Sequence, residues 1–495
     1  MFEKITPEAA GFSSERVKEY IEIMNRRGAR FHSVIMMRGD KIFYESYWAP
    51  FDENFCHRLY SQTKSYVAVA IGLLQEEGKL NINDKIADYF PEKIKSPLKG
   101  PIKDQTIKEM LTMSTVGQNA FWFDTDFADR TEMYFNYKRS EGDRPAGTIW
   151  EYDSAGSQVL SSLVEKLSGM PIFDYLGEKI FKHLGTFKTA EMLKTRNGDT
   201  WGDSAMVCTA RDMLSFARFV LNFGTWDGKR LMNEEYLREA TSPVVSNKEN
   251  SHYQIFYNGY GYQFWSIENG GFMFNGMGNQ YTMCFPDEDV IFLCMSDAQG
   301  NQASHEYVLT YFVDMLLNHM SKEPLPENPE AYSALINATA SLKLFAVSGM
   351  EDSPFRREIS GKRFICRENP MGITEFTFDF DEDGKGGRLL YKNEQGDKVL
   401  PFGVNRNEFG RFPEFGYSDG VGGARTTNGF TYKDAVSLAW LEDKKLMICV
   451  QIIDRYFGNC SMIFAFKGNI CVARMTKTAE DFLGKYEGDL IADME

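Results

Sequence analysis

Ser61-Gln62-Thr63-Lys64 sets a hydroxyl and an amine three residues apart. On a helix, positions i and i+3 share a face, so the amine can reach the hydroxyl. Acyl transfer by serine needs those two groups and a set of donors for the oxyanion. A lysine of ordinary basicity, near ~10.4, is a poor base at neutral pH. Burial at a helix start and nearby positive potential would make it a better one. A second copy of the pattern, Ser96-Pro97-Leu98-Lys99, reads as a loop, because its proline disfavours the helix that would align the pair. Taken alone, Ser61 reads better as a plain serine at a helix N-terminus. Tyr152-Asp153-Ser154, just before another helical pattern, changes that weighting. The phenol could share a proton with Lys64, and Ser154 could orient it. The structural alternative is a buried tyrosine followed by a helix cap at Asp153 or Ser154.

Other chemistries fit less well. Gly416-Tyr417-Ser418-Asp419-Gly420 matches a nucleophile elbow, which needs a strand before it and a helix after it. The VGGARTTNG that follows is not helical, so the match reads as a loop. A Ser-His-Asp triad needs a histidine, and none of His32, His57, His183, His252, His305 and His319 stands in a recognisable catalytic context. His305-Glu306 begins a zinc-protease string, but Leu309 stands where the second histidine belongs, so no metal site is expected. No phosphate-binding or dinucleotide glycine loop is present, and no cofactor is expected.

The elements that must carry these residues follow from periodicity. Val17, Tyr20, Ile21 and Met24 mark one helix face behind Ser13-Ser14-Glu15-Arg16. HSVIMMRGDKIFYESYW reads as two strands joined at Gly39-Asp40, and the Arg38-Gly39-Asp40 adhesion string within it carries little weight. LYSQTKSYVAVAIGLLQEEGKL, TIKEMLTMS, SAGSQVLSSLVEKLSG and TARDMLSFARFVLNFG read as helices. After Gly259, the stretches GYGYQFWSI, GFMFNGMGNQYTMCF and VIFLCMS read as strands, and a last amphipathic helix covers roughly His305 to His319. This order predicts an α/β (α+β) fold: an antiparallel sheet built from both ends of a domain, flanked by helices, with a helical subdomain between. The expected domain is 1–322. A proline-rich linker over 323–345 and a β-rich, barrel-like antiparallel domain over 346–495 follow.

Length and composition agree with a two-domain globular protein. The chain has 495 residues, 43% of them hydrophobic and 25% charged. A net charge of −15 disfavours nucleic acid and anionic membrane surfaces as partners. No apolar run is long enough to span a bilayer, and the first twenty residues lack the basic and apolar segments of a secretory signal. The eight cysteines are scattered, with no C-x-x-C pair, which fits reduced thiols and a cytoplasmic setting.

Several segments in order resemble the class C β-lactamase, penicillin-binding protein and serine esterase superfamily over about residues 10 to 320. LYSQTKSYVAVAIGLLQEEGKLNINDKIADYFPE is similar to its nucleophile helix. TIKEMLTMSTVG is similar to a segment where Met113 stands at the family's histidine position, and PAGTIWEYDSAG to its tyrosine motif. TARDMLSFARFVLNFGTWDGKRLMNEEYLREATSP and GYGYQFW resemble its later helices and strand entry. The resemblance implies Ser61 as the acylated residue, with Lys64 and Tyr152 as the base pair. At the third motif the family carries Lys-Thr-Gly or His-x-Gly, and this chain has Gly276-Met277-Gly278-Asn279-Gln280. Met277 replaces the basic residue that helps hold a substrate carboxylate, which argues against β-lactamase and carboxypeptidase activity. The backbone N–H groups of Ser61 and Gln280 remain available for an oxyanion hole. Ser154, Met277, Gly278, Asn279 and Trp150 are the expected substrate-binding residues, with Trp122 and Trp201 in segments that could line the same cleft. The expected activity is that of a serine hydrolase on a small ester, amide or peptide substrate. A catalytically weak scaffold and a D-amino-acid peptidase are the alternatives. Arg425, from the C-terminal part, could supply the missing charge.

Overall fold

The computed structural model describes residues 2–117, 129–136, 143–195, 197–248, 256–301, 303–414, 431–455, 457–477 and 487–495. Trp122, His252, Arg425 and the Gly416–Gly420 string lie outside them. The chain divides into two compact units, with the break between Lys343 and Leu344.

The first unit is built on one seven-stranded sheet. Its strands are β1 (Glu3–Lys4), β2 (Phe31–Arg38), β3 (Lys41–Tyr47), β4 (Trp265–Ser266), β5 (Phe272–Gly276), β6 (Gln280–Phe285) and β7 (Val290–Ser296). The spatial order is β1-β3-β2-β7-β6-β5-β4, antiparallel except for β1 on β3. Strands from both ends of the unit therefore meet at β2–β7, in register from Arg38↔Val290 to Val34↔Cys294. Period-two alternation sorts their side chains. Ile35, Met37, Ile291 and Leu293 face one core, and Val34, Met36, Phe292 and Cys294 face the other. The first core is filled by helices α2 (Thr63–Glu76), α3 (Ser154–Ser168) and α4 (Ala210–Leu221). The second is filled by α1 (Ser14–Arg26) and α5 (Ser304–Met315). A further helix, α6 (Pro329–Ala340), starts inside the proline-rich stretch and buries Leu335 in the second core.

The helix starts carry the expected chemistry. Ser13 caps α1 through the Arg16 amide, and Thr209 with Asp212 forms a reciprocal capping box on α4. Arg38 and Asp40 of the adhesion-like string are structural. Arg38 donates to the carbonyls of Ala10 and Ser321, and Asp40 pairs with Arg218 of α4. One strand expectation fails. In GYGYQFWSI only Trp265 and Ser266 form a strand. Gln263 has φ +62, and a side chain added at Gly261 would meet the Ala240 carbonyl oxygen at 2.0 Å. The alternation there serves close packing of a bent segment rather than a ladder.

The second unit contains β8 (Arg363–Cys366), β9 (Glu375–Phe380), β10 (Gly386–Asn393), β11 (Gly396–Val404), β12 (Glu408–Arg411), β13 (Lys433–Glu442), β14 (Lys445–Ile453), β15 (Phe457–Lys467), β16 (Ile470–Lys477) and β17 (Gly488–Met494). Their order is β11-β10-β9-β8-β17-β16-β15-β14-β13-β12, and a parallel pairing of β11 with β13 closes the sheet into a barrel. Closure pairs the end of β11, and β12 stays at the end of the order beside β13. Phe364, Phe376, Phe378, Phe464 and Phe466 pack together within this unit at edge and stacked angles. All eight cysteines are unbridged. Among the described residues, no helix is long and apolar enough to cross a membrane.

Candidate active site

Ser61 lies in a single 3-10 turn, Tyr60–Gln62, that runs straight into α2. The turn is held from several sides. Tyr60 has φ +48, a conformation that a non-glycine residue adopts only when its surroundings impose it. Thr63 Oγ1 donates to the Tyr60 carbonyl at 2.6 Å and accepts from the Met206 amide at 3.0 Å. The Leu59 amide donates to the Met206 carbonyl at 2.8 Å, and the Arg58 guanidinium lies over the Tyr60 ring at 4.5 Å.

Lys64 occupies the first turn of α2 and is 1% exposed. Its Nζ donates to Ser61 Oγ at 2.9 Å and to the backbone carbonyl of Asp203 at 2.7 Å. The Asp203 carboxylate Oδ2 lies 4.0 Å from the same nitrogen. Tyr152 meets Lys64 through its ring, with Nζ 5.0 Å from the centroid. That cation–π contact fixes the ammonium between the aromatic face and the serine. Tyr152 itself is partly exposed and stacks on Trp265 at 5.8 Å; Trp150, Tyr260 and Phe256 complete an aromatic wall behind it.

The segment carrying Tyr152 is positioned by α3 and by Gln263. Asp153 caps α3 through the Gly156 amide and accepts from Thr115 Oγ1 at 2.8 Å. Gln263 ties three elements together: its amide donates to the carbonyls of Met110 and Leu111, and its Oε1 accepts from Ser157 of α3. Its backbone carbonyl accepts from Ser65, the residue after Lys64. Met113, with φ +54, is buried and accepts from the Glu151 amide through its carbonyl. It serves as a backbone anchor for the tyrosine segment.

The third-motif hairpin joins β5 to β6, with Gly276 opposite Gln280. A Cβ at Gly276 would sit 2.2 Å from the Leu59 carbonyl oxygen, so this strand end lies directly against the nucleophile turn. Met277 is 42% exposed, so a ligand can touch it. Gly278 and Asn279 take positive φ in the turn. Asn279 donates to Ser304 of α5 at 2.7 Å, and the Gln280 amide side chain is spent on the carbonyls of Met277, Gly278 and Ser296. Neither side chain is directed at Ser61 by these bonds. Ser154 is the first residue of α3 and is nearly buried, as is Trp150. We expect Gly276→Ala to cost about 1–3 kcal/mol of stability through overpacking and to slow modification of Ser61. Chemical unfolding unchanged from the parent would show that the strand does not press on Leu59.

Asp203 and Gln263 were not singled out by the sequence. Their bonds run to partners far along the chain, 139 residues away for Asp203 and Lys64. Two of the histidines form a separate pair. His32 Nδ1 and His57 Nε2 are 2.9 Å apart, and His57 Nδ1 faces the Arg58 carbonyl. A carbonyl only accepts, so Nδ1 of His57 carries its proton and Nε2 accepts from His32. Burial pushes His57 down to about 3, so this pair is neutral near pH 7. Tyr281 engages His305 at 2.8 Å.

The chain is similar to several known proteins. A 6-aminohexanoate-dimer hydrolase of Paenarthrobacter ureafaciens is 24% identical over 219 residues, covering 42% of this chain and 56% of its own. A D-alanyl-D-alanine carboxypeptidase candidate of Escherichia coli (strain K12) is 24% identical over 218 residues, covering 37% of this chain and 49% of its own. The chain thus matches about half the length of these relatives. The solved structure of a 6-aminohexanoate-dimer hydrolase candidate from Bacillus anthracis superposes with a TM-score of 0.54. It is 16% identical and covers 64% of this chain and 87% of its own, a likeness of fold. The Beta-lactamase family model matches residues 17–311, more than half of the chain, and the protein belongs to the beta-lactamase family.

Proposed function

We propose that the protein is a serine hydrolase that cleaves an ester or amide through an acyl-enzyme on Ser61. The observation that carries this is the 2.9 Å contact between Ser61 Oγ and a buried Lys64 Nζ, beside Tyr152. Ser61 Oγ attacks the substrate carbonyl carbon, and its proton passes to Lys64 and Tyr152. The same groups return a proton to the leaving oxygen or nitrogen as the carbonyl–heteroatom bond breaks. Water then repeats the sequence in reverse on the acyl-enzyme. The amide of Ser61 and a second amide from the hairpin facing Leu59, Gln280 in our assignment, donate to the oxyanion. With exposed Met277 at the hairpin turn and Trp150 and Trp265 behind Tyr152, the favoured substrates carry an apolar acyl or leaving part.

A fluorophosphonate probe tests this reading. Intact-mass analysis is expected to show one adduct, and peptide mapping to place it on Ser61. Absence of an adduct with this and several β-lactam probes, on folded protein, favours a binding scaffold instead. A strong kinetic preference for carboxylate-bearing β-lactams or D-alanyl peptides over neutral esters would overturn the apolar specificity.

A further inference from the structure

Asp203 sits at the far side of Lys64 from the serine, and its carboxylate has no role in the chemistry above. It is 4% exposed, and its Oδ1 makes no hydrogen bond. Around it stand three cations from three elements: Lys64 of α2, Arg58 of the short strand His57–Arg58, and Arg130 of the helix Arg130–Asn136. Arg58 and Arg130 stack on Trp201, two residues before Asp203, at 4.6 and 5.1 Å. Arg58 is further engaged by the Ser204 carbonyl at 3.0 Å, so it does not swing away. Tyr152 meets Lys64 at its ring face. Burial raises the Asp203 carboxyl, and the three cations oppose that rise.

We infer that Asp203 is a positioning residue for the nucleophile's base: its backbone carbonyl fixes where Lys64 Nζ points, and its carboxylate, 4.0 Å away, sets how readily that nitrogen gives up its proton. A carboxylate at this distance attracts the ammonium, although Arg58 and Arg130 share its charge, and the ammonium cannot accept the Ser61 proton. The device holds Lys64 against Ser61 in the resting enzyme and makes acylation turn on only as the pair loses a proton. This inference rests on Ser61 being the acylated residue.

The test uses the full chain and a fluorophosphonate, with the rate of Ser61 labelling measured from pH 5 to 10. Asp203→Asn and Asp203→Ala both keep the backbone carbonyl and remove the charge. Each is expected to move the acid limb of the labelling rate about one to three pH units lower, the range an opposite charge at this distance commands. Asp203→Glu is expected to bring the limb back toward the parent position. Labelling that falls by an equal factor at every pH, with the limb in place, is what a merely structural role gives and overturns the inference. Parent protein that takes no label at Ser61 overturns the hydrolase reading itself, and this inference with it.

Discussion

Ser61→Ala is expected to abolish fluorophosphonate labelling and to lower turnover of any ester substrate on the order of 10⁴-fold or more, while leaving the unfolding transition in place. The serine is partly exposed and bonds to Lys64 through one hydrogen bond, so the fold loses little when it is trimmed. Lys64→Met is expected to cause a loss of similar size, because the hydroxyl then has no amine within reach. The two changes act on one step, so the double variant should be no slower than the worse single. The variants differ in stability. Removing the Lys64 ammonium takes a donor from the Asp203 carbonyl and a cation from beside the buried Asp203 carboxylate. Breaking a buried pair at one partner costs about 3–5 kcal/mol, so Lys64→Met should unfold earlier in urea than Ser61→Ala. Turnover surviving in Ser61→Ala, or labelling at a different serine, would remove Ser61 from the mechanism.

Local spacing explains what was legible in the sequence. Ser61 and Lys64 are three residues apart on one helix start, and Asp153 sits at a helix cap, so periodicity and capping rules find them. The strands β2 and β7 are buried on both faces, and that shows in the residues themselves as continuous apolar runs. Other features depend on tertiary contact. Gln263 reaches Met110, Leu111, Ser157 and Ser65, none of them its neighbour in sequence. The Lys64–Tyr152 contact is ring-face rather than hydroxyl-first, a geometry no spacing specifies. In the barrel, the strands Glu375–Phe380 and Lys445–Ile453 are legible from their aromatic and β-branched residues. Gly396–Val404 carries a proline, and Ile470–Lys477 places apolar Ile470 and Val472 on its exposed side, so neither shows a clean polar–apolar alternation.

Asp434→Asn is expected to stabilise the barrel unit, and to do so only above acidic pH. Asp434 lies on β13 opposite Gly410 of β12, is 1% exposed, and its Oδ2 makes no hydrogen bond. Burial pushes its carboxyl up from 3.8 to about 7, and amides of Gly410 and Asp434 itself only partly oppose the rise. The sign follows from linkage. Below about pH 4 both the folded and the unfolded chain hold the proton, and the group costs nothing. Between there and about pH 7 the unfolded chain has released it while the folded chain retains it, so each pH unit costs about 1.4 kcal/mol. Above pH 7 the penalty is complete, on the order of 4 kcal/mol. Asparagine cannot ionise, so the variant escapes this penalty. Its amide brings a buried donor worth about 1–3 kcal/mol if unpaired, but that cost does not change with pH. The difference in stability between variant and parent should therefore climb from pH 4 to 7 and stay level to pH 9. Hydrogen exchange of the β13 and β14 amides reads this unit by itself. A difference of the same size at pH 4 and pH 9 would show that Asp434 is not held protonated by its burial.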